Sequence, residues 1–286
     1  MSDQRPEQVP AQQQEWPGTP DDLTPPADHG ETSWIGRDRL HGRRALVTGG
    51  DSGIGRAVAI AFAREGAHVV IAHLPQEAED ARTTAALVEA EGRRAVLHAA
   101  DLRTPEANRE LARVAVDALG GVDVLVCNAA YQLAQDELRD FPPEQVERTF
   151  ATNVFGPFWL VQALAPELED GGCVIVTTSV QAYAPSDHLL DYAATKAALN
   201  NLVVNLAQEL GPQGIRVNAV APGPIWTPLI PATMAPEKVE GFGSDTPLGR
   251  PGQPVEVAAA YVFLASDEAS YVSGTVLGVT GGKPVF

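Results

Sequence analysis

The sequence predicts one α/β domain, a doubly wound parallel sheet with helices on both faces, behind an extended N-terminal tail. Three observations predict it. Strand-like and helix-like stretches alternate from Arg43 onward, the pattern of a parallel sheet with right-handed crossovers. Several strand candidates are continuous apolar runs, as strands buried on both faces are. A glycine turn, Thr48-Gly-Gly-Asp-Ser-Gly-Ile-Gly55, joins the first strand to an alanine-rich helix.

In chain order, residues 1–40 are the tail and 41–286 the domain. Pro17, Pro20, Pro25 and Pro26 deny helix and sheet to the tail, so extended polyproline-like or disordered chain is expected. Trp16, Trp34 and Ile35 suit a tail that lies across a surface, its own or a neighbouring subunit's. Strands are expected at 45–48, 68–72, 94–99, 122–127, 174–178, 216–221 and 275–279. Helices are expected at 56–65, 76–91, 105–119, 143–168, 192–210 and 254–265. Pro222 to Pro254 lacks a regular pattern and follows a strand, which puts it at the carboxyl edge where such sheets bind ligands. A loop that long reads as a lid.

Composition narrows the function. Hydrophobic content is 44%, charged content 20%, and the net charge is −17. Such a surface repels nucleic acid and anionic lipid. No basic segment with an apolar stretch opens the sequence and no apolar run spans a bilayer, so a cytoplasmic protein is expected. Cys127 and Cys173 give no disulfide framework, which fits a reducing compartment, and no metal site is expected. The histidines fall in unrelated places; His73, ending the second strand, and His188, just before Tyr192, are the two with a plausible role. Glu77, Glu79, Asp80, Glu89 and Glu91 read as a solvated helix face.

Two constellations carry chemistry. In the first, Gly49, Gly53 and Gly55 stand where unpaired N–H groups and the positive end of a helix dipole make an anion site. Glycine permits the tight turn and lets a pyrophosphate approach the backbone. The second is Ser179, Tyr192 and Lys196, with Asn153 upstream. The four-residue spacing puts Tyr192 and Lys196 on one helix face. A lysine cation and a cationic nicotinamide favour phenolate and lower the tyrosine pKa. Tyr192 then passes a proton to or from an alcohol oxygen held by Ser179, while a dinucleotide exchanges hydride.

Thr48–Gly55, Asn128-Ala-Ala130, Asn153, Ser179, Tyr192-Ala-Ala-Thr-Lys196 and Pro222-Gly223 together resemble the short-chain dehydrogenase/reductase superfamily, from about Gly42 to Gly282. The tail and the Gly-Gly-Asp-Ser-Gly-Ile-Gly wording resemble its bacterial general-stress and glucose/ribitol dehydrogenase-like subgroup. The resemblance implies a Rossmann-like fold and a catalytic set of Asn153, Ser179, Tyr192 and Lys196, Asn153 anchoring a water in the proton relay. It implies that Gly49, Gly53 and Gly55, with Asp51, Ser52 and Ile54, carry the pyrophosphate. Asp101 and Leu102 would meet the adenine, Asn128 and Ala129 the adenosine ribose, and Lys196 the nicotinamide ribose. In Pro222-Gly-Pro-Ile-Trp-Thr227, Ile225 would meet the carboxamide and Thr227 the pyrophosphate. Here Cys127 and Ala130 depart from the family's wording. The family also implies a homotetramer built on helices 143–168 and 192–210, which are apolar around much of their circumference.

The leading function is therefore NAD(P)-dependent hydride transfer to or from an alcohol or carbonyl compound. The alternatives are a non-catalytic dinucleotide-binding regulator or scaffold on the same fold, and an epimerase or dehydratase of the superfamily. Gln132, Gln181, Tyr183 and Trp226 are expected to line a pocket for a small hydroxylated substrate. His73 stands where an NAD-selecting acid belongs, no Lys or Arg follows until Arg82, and the nearest charges are negative. Only a protonated His73 offsets a 2′-phosphate there, so NAD is preferred over NADP.

Overall fold

All seven expected strands form. In a computed structural model, which describes residues 9–286, they are β1 (Arg44–Thr48), β2 (His68–His73), β3 (Ala95–Ala99), β4 (Val124–Cys127), β5 (Cys173–Thr177), β6 (Arg216–Pro222) and β7 (Val276–Val279). They make one parallel sheet in the order β3-β2-β1-β4-β5-β6-β7. The order reverses between β1 and β4, where a crevice opens at the carboxyl ends of the strands.

The helices are α1 (Gly53–Arg64), α2 (Ala78–Ala90), α3 (Pro105–Leu119), α4 (Pro143–Phe150), α5 (Gly156–Leu164), α6 (Leu190–Leu210), α7 (Leu229–Thr233), α8 (Pro236–Val239) and α9 (Pro254–Ala265). Because side chains alternate along a strand, each strand feeds two cores. Ala45 and Val47 join Phe62, Ile71 and Tyr261 under α1 and α9; Leu46 joins Leu111, Leu160 and Val203 under α3, α5 and α6.

One long helix was expected over 143–168; two are found. A π turn, Ala151–Phe155, separates α4 from α5, and the Gly156 N–H reaches back five residues to the Ala151 carbonyl. Pro157 is the cause: it has no N–H for the carbonyl of Asn153, and its ring crowds a regular turn. The 222–254 lid carries α7, α8 and one parallel bridge, Ile225 to Gly252.

Among residues 9–40 the regular structure is a single 3₁₀ turn, Pro20–Asp22. The segment nevertheless packs on its own chain. The buried Glu65 carboxylate at the end of α1 accepts from the Trp34 indole (3.1 Å), the Arg37 and Arg39 amides (2.8 and 3.1 Å) and the Arg39 guanidinium (2.7 Å). Val9 and Leu23 share a small core with Trp226, Ile230 and Val239 of the lid.

A candidate dinucleotide and alcohol site

A cavity of about 340 Å³ runs from the β1–α1 turn to the end of β5 and the start of α6. Its first part is backbone. Gly49 and Gly53 have φ of +62° and +50°, and α1 begins without a side-chain cap at Ser52. The first N–H groups of α1 are thus left for an anionic ligand. Gly55 does not line the cavity. A Cβ there would sit 1.8 Å from the Gly49 carbonyl oxygen, so this glycine lets the helix begin against the turn. Asn128 braces the turn: its amide Nδ2 donates to the Thr48 and Gly49 carbonyls (3.2 and 3.1 Å), and its Oδ1 accepts from Thr177.

The wall at the end of β2 is acidic. Asp51 and Glu77 both line it, beside His73. Burial raises the Asp51 carboxyl, and its Oδ1 has no donor. Glu77 is pushed up to about 8 by burial and by the Asp51 charge. The solvated face expected for these acids is therefore wrong for two of them. Glu77 caps its turn through the Leu74 N–H (2.8 Å) and faces the cavity. Asp80 turns inward to Arg56 (3.2 Å). Local charge pattern missed this because Arg56 comes from another helix. The Asp101 carboxylate is held low by Arg103, which grips it at 2.6 Å.

At the far end, Ser179 and Tyr192 line the cavity together, and the Ser179 hydroxyl tempers the rise in the phenol's pKa. Lys196 is 1% exposed, with Nζ 5.2 Å from the Tyr192 ring centroid, and donates to the Thr177 carbonyl at 2.7 Å. β5 delivers Ser179, and α6 delivers the other two from one face. Lysine was expected to lower the phenol's pKa, but burial overrides it. Tyr192 is pushed up to about 12, with Ser179 pulling the other way, and Lys196 is drawn down to about 7. A bound cationic ligand would favour the phenolate.

Most predicted site residues line this one cavity: Gly49, Asp51, Ser52, Gly53, Ile54, His73, Asp101, Leu102, Asn128, Ala129, Ser179, Tyr192, Lys196, Pro222, Gly223, Ile225 and Thr227. Asn153 does not. Its amide is turned inward, accepting from Tyr131 N (2.7 Å) and donating to the Tyr131 carbonyl (2.9 Å) and Thr195 (3.1 Å). Gln132 and Gln181 line the cavity as expected; Tyr183 and Trp226 do not. The Trp226 indole is fully buried and donates to the Pro25 carbonyl at 2.7 Å, because the tail covers it. His188 also lies outside, against the Gln135 carbonyl and Lys238. Sequence reasoning missed Trp16, Glu77, Arg103 and Arg148, all on the cavity wall. Trp16 was expected to cover a surface, with no site named, and the run Asp101-Leu-Arg103 carried a local signal; Arg148 carried none.

The residues suit a nicotinamide dinucleotide: an uncapped helix start for the phosphates, an orphaned buried carboxylate oxygen for a ribose hydroxyl, and a Ser–Tyr–Lys group beyond. Among the described residues, no helix is long and apolar enough to cross a membrane. A family model described as enoyl-(acyl carrier protein) reductase matches residues 49–283. General stress protein 39 of Bacillus subtilis is 48% identical over 279 residues, 97% of each chain. The glucose and ribitol dehydrogenase of Daucus carota is 42% identical over 284 residues, 97% of this chain and 98% of that protein. A Burkholderia cenocepacia short chain dehydrogenase, solved in complex with NADP, superposes with a TM-score of 0.80 at 38% identity. That match covers 99% of the solved chain but 86% of this one, whereas the two relatives' matches run on into the tail. With its glycine turn, parallel sheet and Ser–Tyr–Lys group in one cavity, the chain belongs to the short-chain dehydrogenase/reductase family and is a nicotinamide-dependent oxidoreductase.

Proposed function

We propose that this oxidoreductase acts on the CH–OH group of a secondary alcohol, polyol or sugar, or on the corresponding carbonyl compound. The observation that carries the reading is the convergence of buried Ser179, Tyr192 and Lys196 on the cavity that also holds the glycine turn. Ser179 holds the substrate oxygen, and Tyr192 gives it a proton or takes one. Lys196 sits beneath Tyr192 and would hold the nicotinamide ribose. Asn153 acts through structure: it pins Tyr131 and Thr195, and its carbonyl lies at the π turn, where a proton-relay water would bind. A bound dinucleotide supplies or accepts the hydride. Gln132 and Gln181 on the wall, and the carrot relative's name, favour a hydroxylated substrate.

For the cofactor we hold to a modest preference for NAD. Asp51 and Glu77 oppose a 2′-phosphate at the end of β2, and Arg56, spent on Asp80, does not line the cavity. The Burkholderia complex with NADP argues the other way.

The assembly we propose is a homotetramer in the cytoplasm. Phe155, just before α5, and Phe158, on it, are each 46% exposed, and Val204 on α6 is 42% exposed, an apolar surface suited to a subunit contact.

The deciding experiment is cofactor absorbance with a panel of polyols, sugars and ketones. Turnover with at least one alcohol–carbonyl pair is expected. Tight dinucleotide binding with no turnover across the panel would favour a regulatory or scaffold protein.

A further inference from the structure

Residues 14–19 cross the mouth of the cavity. Gln14 N donates to the Pro231 carbonyl of the lid at 3.0 Å, and a Cβ on Gly18 would meet the Pro228 carbonyl at 2.9 Å. The segment is fastened at both lips. On one, the Trp16 ring stands edge-on to Tyr131 with centroids 5.8 Å apart. The Arg148 guanidinium lies 4.2 Å from the Trp16 ring and 4.1 Å from the Tyr131 ring. On the other, the Thr19 hydroxyl donates to Asp80 at 3.3 Å, and Asp80 in turn pairs with Arg56 of α1. Tyr131 follows β4 and Asp80 follows β2, the two neighbours of β1 in the sheet. The segment therefore spans the β1 glycine turn, and Trp16 and Pro17 line the cavity beneath it.

Arg148 sharpens the point. The other cations on the wall have oxygen acceptors: Arg103 on Asp101, Lys283 on Asp245, Lys196 on the Thr177 carbonyl. Arg148 is held by two aromatic faces, one of them brought by the N-terminal segment.

We propose that residues 14–19 are a clasp over the dinucleotide: Trp16 and Pro17 form the outer wall of its site, and the cofactor leaves only when the segment lifts. This rests on the reading of the cavity as a dinucleotide site. The wall comes from the protein's own chain and is already fastened, so closing it over the ligand adds little ordering cost.

Release of NADH or NADPH, whichever the full-length wild type holds tighter, tests it by stopped-flow fluorescence during a chase with excess oxidised cofactor. Trp16→Ala should speed release about five- to tenfold, the range of a partly desolvated cation–π contact. Trp16→Phe, which keeps a ring over Arg148, should restore most of the slow release. Thr19→Val frees the opposite lip without touching Trp16 and should speed release about two- to threefold, the range of one hydrogen bond; it decides alone if Trp16→Ala does not fold. Wild-type release rates in variants that keep the wild-type melting temperature would overturn the clasp. A wild type that binds neither cofactor would overturn the reading of the cavity instead.

Discussion

The two ends of the cavity are made of different materials. At the β1 turn the ligand-facing groups are backbone, supplied by glycines and an uncapped helix, and the nearby side chains are acids. At the β5–α6 end they are side chains, and Lys196 is the buried ion. Burial penalises charge at both ends, and so acts with opposite sign on the two pKa values: Glu77 goes up and Lys196 goes down. Each end keeps an unfavourable buried ionisable group where a ligand would meet it, a pattern common at functional sites. The difference teaches that a backbone site tolerates no added atom, whereas a side-chain site depends on one protonation state.

The largest effect expected is at the side-chain end. Tyr192→Phe removes the proton donor while leaving the cavity's shape, and kcat should fall about 10²–10⁴-fold with cofactor affinity retained. A variant with more than about a tenth of the wild-type kcat on a true substrate would show that the proton moves elsewhere.

Gly55→Ala tests the backbone end. Its Cβ has no room beside the Gly49 carbonyl, so the turn must move, at a cost of about 2–4 kcal/mol in urea unfolding. Gly92→Ala is the control: its φ is +69° but nothing lies within 4 Å, so about 1 kcal/mol is expected from backbone strain. Equal losses in the two variants would remove close packing from the account of the turn.

Cofactor choice should follow the acid wall. Glu77 gains its charge as pH rises through about 8, so repulsion of a 2′-phosphate grows over that range. The ratio of kcat/KM for NAD over NADP should be about tenfold near pH 7, or about 1.4 kcal/mol, and should rise between pH 6 and 9. Glu77→Gln should flatten that rise. NADP favoured at pH 9 would break the argument.

The last contrast sets the two ends against each other directly through linkage. Glu77 has a folded pKa above its ordinary 4.5, so its contribution to stability is intact below that pH and is lost as pH rises through about 8. Lys196 has a folded pKa below its ordinary 10.5, so its contribution is intact above that pH and is lost as pH falls through about 7. Melting temperature against pH should therefore show Glu77→Gln flattening the fall on the acid side. Lys196→Met should flatten the rise on the alkaline side and stabilise the ligand-free protein near neutrality, while losing activity. Parallel curves for wild type and Lys196→Met would mean that the lysine is charged in the folded protein throughout.

The strands, the glycine turn and the Tyr192–Lys196 pair were legible in the sequence because each is a matter of neighbours a few residues apart. Apolar runs mark buried strands, glycines permit a turn, and a four-residue spacing aligns two side chains on a helix. The family resemblance grouped Asp51, Asn128, Ser179 and Thr227, and all four line one cavity. Tertiary structure alone decided what burial does. It reversed the expected shift at Tyr192, turned Glu77 and Asp80 from a solvated face toward the cavity and Arg56, and took Trp226 from the pocket to lie under Pro25. It also laid Trp16 on Arg148, far along the chain. Desolvation and long-range packing depend on which distant segments cover a residue, and no local spacing encodes that.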